Sequence, residues 1–343
     1  MKSAFLKAGP GVLLMTALLL CASAAAQDGT LRERLRERRQ VQASEAHPAP
    51  ITAPGDYRYS LEHGGRTRLY RVHVPPGYRG DTPAPLLLSL HGGGGSMDYM
   101  AKDENYGQLS HAARAGQVLV FPNGISRFRS GMLATWNAGA CCGAARDENV
   151  DDVGFIRLVL ERVMHQLNID RQRVYATGMS NGAMMAYRLA CEMPELIRAI
   201  APVAGTDNTL SCAPGQPVSV LHIHAINDTH VLFEGGAGPD SVDRAQVTDY
   251  RSVPASVARW VAFNGCQRSP QRVLETDGAW CELYAPCRDG ARVQLCVTER
   301  GGHSWPGGVK RTRGEAATQA LSANEVMWEF FTQTRATLNP PGR

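Results

Sequence analysis

The chain has 343 residues, of which 43% are hydrophobic and 20% are charged, and its formal net charge is +4. This composition is ordinary for a globular protein with a sizeable core, and the length suits one large α/β domain or two smaller ones. The charge is too small to indicate nucleic-acid binding, and no run of basic residues interleaved with aromatics changes that conclusion.

The N-terminus has the pattern of a signal peptide. Lys2 and Lys7 give it a positive start, residues 12–20 form a compact apolar run, and residues 24–26 are small alanines suited to cleavage. We therefore predict a signal peptide over residues 1–26 and export of the mature chain. The apolar run is too short to cross a bilayer and no later run is longer, so we expect no integral membrane segment. Lipidation at Cys21 is disfavoured because Leu20 precedes it.

Residues 27–54 are predicted to be a flexible charged segment. Its arginines are interleaved with glutamates over residues 31–39, which favours a solvated spacer over a membrane-binding or partner-binding helix. The catalytic domain is predicted to cover residues 55–337. The sequence shows neither an internal repeat nor a second domain.

The first predicted elements of the domain are strands. Residues 57–61 and 69–74 alternate as a hairpin would, with His63-Gly64-Gly65 as the turn. Residues 85–90 form a near-continuous apolar strand of the kind that is buried on both faces, and residues 118–121 form another.

Four glycines follow the strand at 85–90, in the run His91-Gly92-Gly93-Gly94-Gly95-Ser96. Successive glycines lose much conformational entropy on folding, so the run is either a flexible loop or a backbone that approaches a ligand closely. A phosphate-binding loop would need Gly-Lys-Ser/Thr, which is absent. We predict an oxyanion loop that uses the backbone at Gly92 and Gly93.

Helices and strands then alternate. Asp151 is predicted to begin a helix that runs to about residue 167, and residues 183–190 form a second helix. Later elements are strands at 197–203 and 218–224, a helix at 257–263, a hairpin around residues 288–290 and a closing helix at 326–331. This alternation predicts an α/β fold whose mostly parallel central sheet is covered by helices on both faces.

The segment Gly178-Met179-Ser180-Asn181-Gly182 lies between a predicted strand and a predicted helix. A nucleophile on a sharp strand-to-helix turn needs small neighbours, and the two glycines meet that need. We interpret Ser180 as a nucleophile and the backbone N–H of Asn181 as an oxyanion donor. The alternative is a structural turn, because Gly-x-Ser-x-Gly also arises by chance.

A serine nucleophile needs a base and an acid to orient that base. In an α/β-hydrolase they follow the serine as acid and then histidine, each at a strand's carboxyl end. Asp228 follows the strand at 218–224, and His303 follows a strand that ends near residue 297. Taken singly they read as a turn aspartate and a loop histidine, but together they match the required order.

The sequence predicts neither a metal site nor a cofactor. His222 and His224 share a strand face, but no third ligand is evident, so we interpret them as core histidines or as supports of the site.

The sequence contains nine cysteines, and removal of Cys21 with the signal peptide leaves eight. An even number in an exported protein predicts disulfides, and the absence of a Cys-x-x-Cys pair disfavours zinc. The predicted hairpin brings Cys281 and Cys296 across from one another. The predicted bonds are Cys281–Cys296, Cys266–Cys287, and two bonds of unassigned order that join Cys141 and Cys142 to Cys191 and Cys212.

Several motifs together resemble the LpqC and polyhydroxybutyrate depolymerase-type esterases, which are relatives of the feruloyl and acetylxylan esterases of carbohydrate esterase family one. The matching segments are residues 90–96, Trp-Asn-Ala-Gly at 136–139 with Cys-Cys-Gly at 141–143, residues 150–153, residues 178–182 and Gly-His-Ser-Trp-Pro-Gly-Gly at 302–308. The resemblance covers about residues 55–335. It implies an α/β-hydrolase fold and secreted ester hydrolysis with Ser180, Asp228 and His303 as the triad.

One stretch departs from the family pattern. The family usually shows His-Gly-x-x-Asp followed by Val-Pro, whereas this chain has His224-Ala225-Ile226-Asn227-Asp228 and then Val231-Leu232. The acid is kept, and the altered loop makes His230 a candidate for substrate contact.

The expected function is therefore that of a serine carboxylic-ester hydrolase, acting on polyester oligomers or on feruloyl and other aryl esters. Hydrolysis of amides uses the same machinery and is the alternative. A non-catalytic binding protein is disfavoured because no triad member is missing. His91, Trp136 and Trp305 are candidate substrate-binding residues, with structural packing as the alternative for the tryptophans. The oligomeric state is left open.

Overall fold

The computed structural model describes residues 49–241, 247–309 and 314–338. The predicted signal peptide and most of the predicted charged segment lie outside these residues. By its internal contacts the chain divides at residue 50, and the elements below all belong to the unit Ile51–Arg343. The predicted domain boundaries 55–337 stay a prediction.

The described strands form one ten-stranded sheet, in the order β1-β2-β4-β3-β5-β6-β7-β10-β9-β8. The strands are β1 Gly55–His63, β2 Arg66–Val74, β3 Ala84–Leu90, β4 Val118–Pro122, β5 Ile169–Met179, β6 Ala199–Val203, β7 Ser219–Ala225, β8 Gln271–Thr276, β9 Ala279–Tyr284 and β10 Val293–Thr298. The six central strands, from β4 to β10 in this order, run parallel to one another. Antiparallel pairs flank them on both sides. The predicted mostly parallel sheet is confirmed.

The described helices cover both faces of this sheet. They are α1 Met97–Met100, α2 Asp103–Tyr106, α3 Gln108–Ala115, α4 Gly143–Asp147, α5 Asp152–Gln166, α6 Asn181–Glu192, α7 Val253–Phe263 and α8 Ala323–Leu338, with a 3₁₀ turn at Arg288–Gly290. One buried cluster contains side chains of α5, α6 and α7, and a second contains side chains of α1, α2, α3 and α8.

The sequence of β3 is almost wholly apolar because every residue of this strand is buried. Leu86, Leu88 and Leu90 belong to the first cluster, whereas Leu87 belongs to the second. Successive side chains of a strand point to opposite faces, so a strand with helices above and below it needs apolar residues at every position. Each fully buried leucine contributes about 1.5–3 kcal/mol through the surface it removes from water.

Most predicted elements are present, several of them with longer bounds, although α5 and β6 are slightly shorter than predicted. The α5 helix begins as expected, because the Asp151 side chain caps it by accepting a hydrogen bond from the Gly154 N–H. The α7 helix ends at Phe263 with Asn264 as its C-cap, and Gly265 follows in the left-handed region, where glycine is favoured. The α1, α2, α3 and α4 helices and the β8 strand were not expected.

The cysteine pairing corrects one expectation. The predicted bonds Cys266–Cys287 and Cys281–Cys296 are present, and Cys281 lies opposite Cys296 in the β9–β10 register. The other two bonds, however, join Cys191 to Cys212 and Cys141 to its neighbour Cys142. The expected cross-pairing is wrong because the end of α6 lies beside the segment after β6, with Cα atoms of Cys191 and Cys212 only 5.5 Å apart.

We predict that serine at both positions 191 and 212 lowers the free energy of unfolding by about 3 kcal/mol, because that bond joins residues 21 apart in sequence. Denaturant unfolding of the variant and the native chain measures this. Non-reducing peptide mapping that linked Cys141 or Cys142 to Cys191 or Cys212 would contradict the pairing.

Candidate active site

Ser180 occupies a strained turn between β5 and α6. Its φ and ψ are 56° and −120°, in a region that residues with a side chain rarely adopt, and its N–H donates to the Val203 carbonyl at 2.9 Å. Glycine is required at the neighbouring positions 178 and 182 because other backbone segments approach them too closely for a side chain. A Cβ on Gly182 would overlap the Leu90 carbonyl oxygen, and one on Gly178 would overlap the backbone of Gly182. The turn therefore packs directly against the end of β3.

The glycine-rich loop after β3 lies beside this turn. A Cβ built on Gly92 would lie 3.5 Å from the Ser180 Cβ, and one on Gly93 would lie 3.6 Å from the Asn181 Cβ. The Asn181 N–H is at the first position of α6, where no intrahelical acceptor exists. The backbone of Gly92 and Gly93 and the start of α6 therefore lie beside Ser180, where the oxyanion site is predicted; their role as donors stays a prediction.

His91 supports this loop from within the protein. Its Nδ1 lies 2.8 Å from the Gly92 carbonyl, and its Nε2 lies 3.0 Å from the backbone nitrogen of Gly124. A carbonyl accepts and a backbone N–H donates, so His91 is neutral with its proton on Nδ1. Burial lowers the pKa of His91 to about 4, which keeps the imidazole neutral at working pH.

Trp136 and Asn181 complete the support. The Trp136 indole N–H donates to the His91 carbonyl at 2.9 Å. The Asn181 amide accepts from the Trp136 N–H at 2.8 Å and donates to the Trp136 carbonyl at 3.0 Å. His91 and Trp136 are 1% and 0% exposed. Their contacts favour positioning of the loop over direct contact with substrate.

Trp305, the third candidate for substrate binding, is also buried. It is 3% exposed and meets the Tyr106 ring edge-on with centroids 5.6 Å apart. This placement favours packing between the loop after β10 and the α2 helix.

Asp228 and His303 are brought together by neighbouring strands. The loop after β7 holds Asp228, the loop after β10 holds His303, and the His303 Nδ1 lies 2.8 Å from Asp228 Oδ2. The other carboxylate oxygen accepts from the N–H groups of His230 and Val231 at 2.8 and 3.0 Å. Parallel strands end at one edge of a sheet, so this pair lies at the same edge as Ser180, which follows β5.

Electrostatics keep the Asp228 carboxylate ionised. Burial raises the pKa of Asp228, but the charge of His303 and the hydrogen bonds from His224 and His303 outweigh it and hold the pKa far below the ordinary value. The carboxylate can therefore fix the orientation of His303 over the working pH range.

His230 packs its ring on that of His303. The ring centroids are 4.5 Å apart and the planes differ by 17°. Asp228, His230 and His303 offer ligand atoms within 4.8 Å of one another. The His303 Nδ1 already bonds to Asp228 Oδ2, however, and Asp228 Oδ1 accepts from two backbone N–H groups, so the arrangement suits a hydrogen-bonded pair better than metal coordination.

Sequence reasoning missed two further positions of this site. A Cβ on Gly205, just after β6, would overlap the Ser180 carbonyl oxygen, and Gly124 donates to His91. The only signal for either was a glycine at the end of a strand, which is common in loops.

Comparison with known proteins agrees with this architecture. A family model described as Esterase PHB depolymerase matches residues 68–224. Feruloyl esterase B of Piromyces equi is 30% identical over 239 residues, which make up 68% of this chain and 42% of that protein. A protein of Aspergillus clavatus named probable feruloyl esterase C is 31% identical over 272 residues, or 77% of this chain and 83% of that protein. The chain belongs to the esterase PHB depolymerase family.

Membership of the esterase PHB depolymerase family places the chain among the carboxylic ester hydrolases. A solved acetyl xylan esterase from Aspergillus awamori superposes with a TM-score of 0.55 at 12% identity, covering 81% of this chain and 99% of that one. That similarity shows the α/β-hydrolase fold.

We predict that Gly182→Ala both destabilises the protein by more than about 1 kcal/mol and sharply lowers ester hydrolysis, because the new methyl group overlaps backbone at the end of β3. Thermal unfolding and hydrolysis of a chromogenic ester measure the two effects. Gly77→Ala is the matched control, since nothing lies within 4 Å of its Cβ position. Equal behaviour of the two variants would contradict the packing account.

A second prediction concerns acid stability. The native pKa of Asp228 lies below the unfolded value of about 3.9, so the stability it contributes is present above that pH and is lost as pH falls below it. The free energy of unfolding, measured by denaturant titration from about pH 5 downwards, should fall less steeply in Asp228→Asn than in the native chain. Identical slopes would show that Asp228 is not held ionised by its surroundings.

Proposed function

We propose that the chain is a serine carboxylic-ester hydrolase in which Ser180 is the nucleophile, His303 the general base and Asp228 the acid that orients it. The observation that carries the proposal is the hydrogen-bonded Asp228–His303 pair at the same sheet edge as the strained Ser180 turn. A purely structural turn would need neither the glycines around Ser180, where a Cβ would overlap neighbouring backbone, nor a buried carboxylate bonded to a histidine.

The proposed reaction proceeds through an acyl-enzyme. The His303 Nδ1–H donates to Asp228, which leaves Nε2 to take the proton of the Ser180 hydroxyl as its oxygen attacks the ester carbonyl. The developing oxyanion accepts from the Asn181 N–H and from an N–H at Gly92 or Gly93. The tetrahedral intermediate collapses, and His303 passes its proton to the departing alcohol.

Water completes the cycle in the same way. His303 removes a proton from the water as the oxygen attacks the acyl carbonyl, and then returns a proton to Ser180 Oγ as the acid departs. The ion pair formed by protonated His303 and Asp228 is stabilised because the carboxylate is buried and already ionised.

The proposed substrates are esters with an apolar or aromatic acid, either feruloyl and other aryl esters or oligomers of a polyester. The relatives named above support the feruloyl class. The loop after β4 adds support, because Phe128, Met132 and Leu133 are 54%, 57% and 61% exposed there. This loop bonds to the glycine-rich loop through the Gly94 N–H and the Ala134 carbonyl, at the residue that follows Leu133.

We also propose that the mature protein acts outside the cytoplasm after loss of residues 1–26. Four disulfides support an oxidising compartment. In the part of the chain that the structure describes, no helix has both the length and the apolar character that a membrane span requires.

Replacing the nucleophile provides the test. Ser180→Ala should lower kcat/KM for a chromogenic ester by about four or more orders of magnitude, and Asp228→Asn by at least about a hundredfold through the wrong tautomer of His303. Ser110→Ala, at an exposed position of α3, is the control and should leave the rate unchanged. Near-normal activity of folded Ser180→Ala would reject the nucleophile.

A substrate panel separates the related activities. Aryl, feruloyl and soluble polyester esters are compared with a blocked dipeptide amide, and the proposal expects hydrolysis of the esters only. Faster cleavage of the amide would instead assign a peptidase or polyamide hydrolase, and binding without turnover of any substrate would assign a binding protein.

A further inference from the structure

A chain of buried polar side chains runs from the helix behind Ser180 to Asp228. The Tyr187 hydroxyl of α6 lies 2.7 Å from His222 Nδ1, and His222 Nε2 lies 3.2 Å from His224 Nδ1. The His224 Nε2 in turn lies 2.9 Å from the Val231 carbonyl and 3.3 Å from Asp228 Oδ2. These four side chains are at most 2% exposed.

The last acceptor fixes the direction of every bond in this chain. A carbonyl oxygen only accepts, so His224 carries its proton on Nε2 and presents Nδ1 as an acceptor. His222 must then donate from Nε2, and its own Nδ1 accepts from the Tyr187 hydroxyl. Both histidines are held in one tautomer, and the terminal donor, on His224, faces the oxygen of Asp228 that His303 also contacts.

Burial keeps His222 and Tyr187 neutral. It lowers the pKa of His222 well below the ordinary value, with a further lowering from His224. It also raises the pKa of Tyr187 well above the ordinary value, with a smaller contribution from Asp207. The Tyr187 hydroxyl therefore remains a donor, and the neutral His222 imidazole remains its acceptor.

The hydrogen-bonded side chains and the backbone contact different oxygens of Asp228. The two backbone N–H groups from residues 230 and 231 hold Oδ1, whereas His224 and His303 share Oδ2. Without His224, Oδ2 would be oriented by His303 alone. Since His303 moves a proton in each half-reaction, a second donor on Oδ2 keeps the carboxylate in place while the charge on His303 changes.

We propose that Tyr187, His222 and His224 are positioning residues, which fix the carboxylate of Asp228 and through it the orientation of His303. This inference rests on the proposed triad. It also links the α6 helix, whose first residue supplies the oxyanion N–H, to the acid loop, so that one hydrogen-bonded chain spans the nucleophile side and the acid side of the site.

The first test removes the Tyr187 hydroxyl, which lies at the end of the hydrogen-bonded chain opposite Asp228. Tyr187→Phe retains the packed ring but leaves His222 Nδ1 without its donor, which should lower kcat for a soluble aryl ester by about tenfold with KM changed by less than about twofold. Tyr175→Phe is the matched control. Tyr175 is equally buried, and its hydroxyl donates to the Phe331 carbonyl at 3.3 Å on the other face of the sheet. That variant should lose stability but keep kcat.

Rescue at His224 separates positioning from packing. His224→Gln keeps an N–H donor near the Nε2 position, whereas His224→Leu removes it, so the Gln variant should retain severalfold more kcat than the Leu variant at similar stability. In ¹⁵N-histidine-labelled native protein, His222 and His224 should both show the Nε2–H tautomer. The downfield Nδ1–H proton of His303 should broaden or shift in Tyr187→Phe and not in Tyr175→Phe.

Each outcome is decisive. If Tyr187→Phe and Tyr175→Phe have equal kcat and the same His303 proton signal, the hydrogen bonds of Tyr187, His222 and His224 only satisfy buried polar groups, and the proposal fails. That failure is distinct from failure of the triad, which shows as activity in Ser180→Ala or Asp228→Asn whatever the tyrosine variants do. An Nδ1–H tautomer at His222 or His224 would overturn the direction of the chain.

Discussion

The close packing of the Ser180 turn against the end of β3 is the constraint on which the site depends. The backbone at Gly182 approaches the Leu90 and His91 carbonyls too closely for any side chain. This contact fixes the start of α6, with the Asn181 N–H, beside the glycine-rich loop that we propose supplies the second oxyanion donor. Catalytic electrostatics require such donors to be in place before charge develops, because donors that had to reorient would cost free energy in the transition state.

Asp228 and His303, the proposed acid and base, are positioned by other contacts. They lie on loops after adjacent parallel strands, and their relative position is set by hydrogen bonds to one buried carboxylate. Burial alone would raise the pKa of Asp228 and favour its protonated form. The donors around Asp228 reverse that preference, so the stability of the loop and the ionisation of the carboxylate depend on the same contacts. Removing a donor is therefore expected to affect geometry and charge together.

Much of this architecture was predictable because it follows from local pattern. The two-faced burial of β3, the Asp151 cap and the opposition of Cys281 and Cys296 all follow from periodicity and register. The missed features depend on distant residues. The α1 and α2 helices have only four residues each, too few for a periodic signal. The supporting role of Trp136 rests on its contact with Asn181, 45 residues away, and the Cys191–Cys212 bond rests on the packing of α6 beside β6.

Covalent trapping of the intermediate tests the central claim most directly. The protein is mixed with an aryl ester whose acyl-enzyme hydrolyses slowly, quenched in acid and analysed by intact mass and peptide mapping. The account predicts one acyl group on the peptide that contains Ser180, and no adduct in Ser180→Ala. An adduct on another residue, or steady ester hydrolysis with no acylated protein at any time after mixing, would contradict it.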